Sequence, residues 1–88
     1  MIPSLTPEQL LLIADQFCDA HRVTVRDFGA IVASAAVAGA RIDGIPVHAH
    51  PAAAGDALAD TITRLEPLSG FNREFGDVCR AVYQRLPQ

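Results

Sequence analysis

Apolar side chains return at three- and four-residue spacing in four separate runs of this chain, and only residues 41–47 have strand character. That spacing places one apolar face on each of four α-helices, so the chain is constrained to pack helix on helix. The first helix has a marked start. Thr6-Pro7-Glu8-Gln9 offers a threonine cap, proline at the first helical position and a glutamine that completes a capping box. Leu10, Ile13, Ala14, Phe17 and His21 then share one face with Asp15 and Asp19 opposite, which predicts a helix over 7–20.

After the β-branched connector His21-Arg22-Val23-Thr24-Val25, Asp27 caps a second predicted helix over 28–38, with Phe28, Ile31, Val32, Ala35 and Ala38 as its stripe and Gly39 as its stop. Small side chains in Ala33-Ser34-Ala35-Ala36-Val37-Ala38 allow a neighbouring helix close. Asp43-Gly44 between two isoleucines marks a two-residue hairpin turn, and Pro46 confines any strand there to an edge. A third helix over 52–65 buries Ala54, Leu58, Ile62 and Leu65. Glu66-Pro67-Leu68-Ser69-Gly70-Phe71 breaks it, and a fourth over 72–86 follows with Phe75, Val78, Cys79, Val82 and Leu86 on one face. The expectation is an all-α domain of four helices with a short flap between the second and third.

At 88 residues and 9.4 kDa the chain is read as one domain, 1–88, with a core of marginal size. Half of it is apolar, which excludes an extended disordered chain, and Asp15, Asp19, Arg41 and Asp56 interrupt every run long enough to approach a membrane span. No basic region precedes an apolar stretch at the start, so no signal peptide is expected and the cytoplasm is the expected location. The net charge is −3, and all seven basic residues are scattered arginines. Direct nucleic-acid binding is therefore disfavoured, because phosphate contacts need clustered positive charge. Cys18 and Cys79 are too few for a disulfide framework and read as core thiols. His48-Ala49-His50 lacks a local carboxylate or cysteine to complete a metal site, and Asp56 with Asp60 reads as a solvated helix face.

The stretch from the third helix to the fourth carries the most chemistry. A loop entering a helix start presents free N–H groups suited to phosphate, and here it contains Gly70, with Asn72 and Arg73 at the helix start. Taken in order, Leu5-Thr6-Pro7-Glu8-Gln9-Leu10-Leu11, Val25-Arg26-Asp27-Phe28-Gly29-Ala30-Ile31, Ile42-Asp43-Gly44 and His50-Pro51 resemble the Doc branch of the Fic/Doc family, the toxins of death-on-curing toxin–antitoxin modules. The likeness spans nearly all 88 residues and stops one helix short of a typical Doc protein. The family's loop reads H-P-F-x-D-G-N-K/G-R. Its histidine is the general base, its acid holds Mg²⁺, and its end grips ATP phosphates.

This chain has Glu66-Pro67-Leu68-Ser69-Gly70-Phe71-Asn72-Arg73-Glu74 at that place. Pro67 and Asn72 match, and Arg73 keeps the positive charge. Glu66 replaces the histidine, Gly70 the metal-binding acid, Phe71 the glycine, and Glu74 a phosphate-binding arginine. A glutamate with an ordinary pKa of about 4.3 is a far weaker base at neutral pH. Without an acid at position 70 a Mg²⁺ loses its anchor, and Glu74 repels phosphate. Glu66 and Glu74 are instead expected to fill the anion site at the helix start themselves.

The resemblance thus implies a catalytically degenerate Doc-like domain that binds a protein: an antitoxin-type segment, translation machinery, or a second copy of itself as a homodimer. It needs no cofactor and no metal. The alternative is a divergent ATP- and Mg-dependent phospho- or AMP-transferase, with Glu66 as base and Asn72 and Arg73 on the nucleotide phosphates. A small DNA-binding regulator is a third class. An acidic four-helix domain of this size also resembles acyl carrier proteins, but neither Ser34 nor Ser69 sits in the Asp-Ser-Leu/Met context they require.

Overall fold

A computed structural model of the chain describes residues 3–87 and is all-α apart from one small hairpin. The elements are α1 (Pro7–His21), α2 (Phe28–Ala38), β1 (Arg41–Ile42), β2 (Ile45–Pro46), α3 (Pro51–Leu65) and α4 (Asn72–Gln84). The helices form two hairpins, α1/α2 and α3/α4, with α3 lying between α2 and α4.

The local signals act where the residues place them. Thr6 accepts a hydrogen bond from the Gln9 N–H at 3.1 Å while the Gln9 side chain accepts from the Thr6 N–H at 2.8 Å, closing the capping box. Asp27 caps α2 by accepting from the Ala30 N–H at 3.1 Å. Asp43 and Gly44 both take positive φ, +52° and +80°, the backbone of a two-residue turn that matches strand twist, and Arg41 pairs with Pro46 across it.

Three expectations change. Phe28 and Val32 are exposed, because the buried face of α2 is Ala30, Ile31, Ser34, Ala35 and Ala38. Leu65, Val78 and Val82 also lie at the surface: α4 faces inward through Phe75, Gly76, Cys79 and Tyr83, about a sixth of a turn from the expected stripe. α4 ends at Gln84 rather than 86. Gly39 does end α2, but at φ −94°, outside the left-handed region. Its bare Cα matters for space instead, since a Cβ there would lie 3.1 Å from the Ser4 Cβ.

The core joins Leu10, Ala14 and Phe17 of α1, Ile31 and Ala35 of α2, Leu58 and Ile62 of α3, and Phe75, Cys79 and Tyr83 of α4. Leu68, from the α3–α4 loop, is buried with them. Burial alone pushes the Cys79 thiol up to about 12, so it stays a small apolar group at neutral pH. Tyr83 has no exposed surface, and its hydroxyl donates to the Pro3 carbonyl at 2.6 Å, tying the N-terminal segment to α4.

Two buried hydroxyls therefore predict opposite outcomes. Tyr83→Phe leaves the Pro3 carbonyl without its donor and is expected to cost about 1 kcal/mol in urea unfolding. The Ser34 hydroxyl is fully buried with no partner, so Ser34→Ala is expected to be neutral or to stabilise by up to about 1 kcal/mol. Cys79 should stay unlabelled by a thiol reagent at pH 8 until the chain is unfolded, because its thiolate is negligible in the fold.

Candidate functional site

The loop between α3 and α4 is held by another loop. Arg22 and Glu66, the C-caps of α1 and α3, both adopt left-handed backbone, at φ +57° and +51°. Each turn releases the chain into an extended stretch, and the two stretches run side by side with Val25 opposite Leu68 in an antiparallel bridge. The Pro67 carbonyl accepts from the Arg26 and Asp27 N–H groups at 2.7 and 3.0 Å, and the Thr24 carbonyl accepts from the Ser69 N–H at 2.8 Å. In return the Thr24 N–H donates to the Ser69 Oγ at 3.0 Å. These four hydrogen bonds tie the two loops together.

Glu66, Asn72 and Arg73 come together here. They line one hollow of about 420 Å³, open to solvent and also bordered by Arg26, Ser69 and Phe71. Arg26 was not legible as part of this site, since it stands forty residues away in the α1–α2 loop. Its guanidinium donates to the Glu66 carbonyl at 2.7 and 3.3 Å and pairs with the Glu66 carboxylate at 3.6 Å. Both side chains are exposed, so the pair contributes under about 1 kcal/mol. Its effect is positional: Glu66 faces a cation.

Asn72 is engaged on both sides of its amide. Its Oδ1 accepts from the Leu68 N–H at 2.9 Å and its Nδ2 donates to the Leu68 carbonyl at 3.0 Å. Arg73 makes no ion pair among the described residues, which leaves its charge available in the hollow. The cap residue of α4 makes no side-chain cap hydrogen bond, and of the two carboxylates expected at the helix start Glu74 lies in its first turn. Phe71 occupies that cap position at φ +58°, in the left-handed region that glycine favours and where the resemblance expects glycine. Its half-exposed ring lies against His21 at 5.3 Å, and His21 stacks on Phe17 at 3.9 Å while its Nδ1 lies 3.0 Å from the Phe17 carbonyl. Position 70 has room for a side chain, since a Cβ there would meet only Val23, at 3.6 Å.

Chemically, the hollow combines two guanidiniums with the positive end of α4, which favours an anion, and one carboxylate, Glu66, that opposes one. Among the described residues no group of three histidine, cysteine or carboxylate side chains is placed to hold a metal ion. His48 and His50 lie in the turn before α3, with His50 at the α3 cap position making no cap hydrogen bond. Asp56 and Asp60 are exposed, paired with Arg80 at 3.6 Å and Arg64 at 3.0 Å. Cys18 and Cys79 are buried and unbonded. No helix of the described residues is long and apolar enough to cross a membrane.

No protein-family model, curated protein or solved structure matches this chain.

The Asn72 clamp makes a direct prediction. Asn72→Ala removes two hydrogen bonds and strands the Leu68 N–H in a half-buried place, so about 2 kcal/mol of stability should be lost. Amide exchange should speed up at Leu68 and Ser69 in that variant before it does so in α3.

Proposed function

We propose that this chain is a protein-binding domain of Doc-like descent whose transferase chemistry has been lost, acting in the cytoplasm. One observation carries the reading: the polar groups at the places the family uses for catalysis are engaged in holding the loop. Asn72 is clamped on Leu68 and Glu66 faces Arg26, while Gly70 supplies no acid. The same geometry supports binding through apolar surface, because Leu12, Phe28, Ile42 and Ile45 stand exposed on α1, α2 and the hairpin. Such residues suit a helical antitoxin-type segment, a component of the translation machinery or a second copy of the chain.

One feature favours a second reading. Arg26 and Arg73 beside the uncapped start of α4 make the hollow receptive to phosphate, as a divergent ATP- and Mg-dependent phospho- or AMP-transferase with Glu66 as base requires.

Calorimetry with Mg·ATP separates the two. The protein-binding reading expects no heat of binding at millimolar nucleotide and no transfer of label to lysate proteins. Glu66→His alone should restore neither, because position 70 still lacks an acid and Glu74 still repels phosphate. Transfer by the unmodified protein that Glu66→Ala abolishes would establish the transferase instead.

A further inference from the structure

Helix α2 is apolar on every side. It carries no charged residue, and its one polar side chain, Ser34, is buried. The arc opposite the core, Phe28, Gly29, Val32, Ala33 and Ala36, is exposed throughout. A helix that is apolar all round is normally covered on all sides. Here Phe28 and Val32 remain 61% and 53% exposed, and with Leu11 of α1 they line an open apolar hollow of about 120 Å³.

We propose that a second copy of this chain covers that face, with the two α2 helices antiparallel about a two-fold axis. The pairing rests on the reading of the chain as a protein-binding domain and names its partner. Shape is the first reason. Phe28, Val32 and Ala36 step from large to small along the exposed arc at four-residue intervals. Reversed against itself, the arc sets each Phe28 over the other copy's Ala36 and Val32 against its own counterpart, while Gly29 and Ala33 let the backbones close. Such a self-complementary surface is what a two-fold interface needs.

Charge selects the same occupant. Glu8 borders the hollow beside Phe28, so the acidic end of the face is the N-terminal end of α2. Arg41 follows three residues beyond the other end; it donates only to the Gly44 carbonyl, at 3.3 Å, and makes no ion pair among the described residues. Since α2 is about 16 Å long, antiparallel packing brings Glu8 of one copy toward Arg41 of the other. Area sets the strength. Phe28, Val32 and the small residues between them offer roughly 300–400 Å² per copy, against about 800 Å² for a standard interface. The dimer is therefore weak and reversible.

Sedimentation equilibrium from about 5 to 500 µM, with circular dichroism and thermal unfolding as fold controls, tests this. The expected result is a monomer–dimer equilibrium that Phe28→Asp and Ala36→Phe each weaken by at least about tenfold without lowering the melting temperature. Arg41→Glu should weaken it too, and adding Glu8→Arg to the same chain should restore it. Stronger association in Ala36→Phe would mean unspecific apolar adhesion and overturns the pairing. So does a folded monomer at the highest concentration, or a dimer indifferent to these variants. Uptake onto phosphatidylcholine vesicles that Phe28→Asp abolishes, in place of dimerisation, would make the face a lipid contact and likewise overturns it. A monomer that ignores Mg·ATP leaves the protein-binding reading in place without this partner, whereas a dimer that transfers label refutes that reading and keeps the dimer.

Discussion

The pairing of residues 24–27 with 66–69 is the interaction on which the arrangement of this domain depends. The two helical hairpins meet mainly where α2 packs on α3, and α1 meets α4 only sparingly. The connecting loops add a second restraint. Each satisfies the other's backbone groups, and Leu68 and Pro67 are carried into the core by the join. The left-handed caps at Arg22 and Glu66 make it possible. Without them neither chain could leave its helix in the direction that brings Val25 opposite Leu68. Left-handed backbone at a residue with a Cβ costs about 1–2 kcal/mol, which the shared hydrogen bonds and the burial of Leu68 offset.

The same pairing shapes what the candidate site can do. A loop secured by its own polar groups is rigid, yet those groups are then committed to the loop. Asn72 illustrates this most directly, because both ends of its amide meet the backbone of a single residue four positions earlier. What remains available is charge: Arg73, the outer face of Arg26, and the uncapped start of α4. The surface thus offers anion-friendly electrostatics at the loop end and apolar contact on α2.

The helix caps, the turn and the element order were legible because they are local. Thr6 reaches Gln9 and Asp27 reaches Ala30 across three residues, and Asp43-Gly44 acts within a single turn. The choice of buried face was harder. Phe28 and Val32 satisfy the helical period as well as Ile31 and Ala35 do, and on a helix apolar all round the period cannot say which side faces inward. On α4 the polar hydroxyl of Tyr83 hid a core residue that the fold buries completely by giving it the Pro3 carbonyl. Within the site, Glu66, Asn72 and Arg73 are neighbours in sequence and were found together. Arg26 was not, because nothing in its surroundings refers to position 66.

By itself, then, the sequence determined four helices, the caps that start the first two, the hairpin between the second and third, and that Glu, Gly and Phe stand at positions 66, 70 and 71. These follow from propensity, capping and side-chain chemistry, which act over a few residues. Only the tertiary structure decided that the two connectors pair, that Asn72 clamps a loop, that Arg26 faces Glu66, and that one face of α2 is left uncovered. The pairings among those outcomes join residues up to forty-five positions apart. Such contacts form when packing resolves which of several equally periodic faces each helix buries.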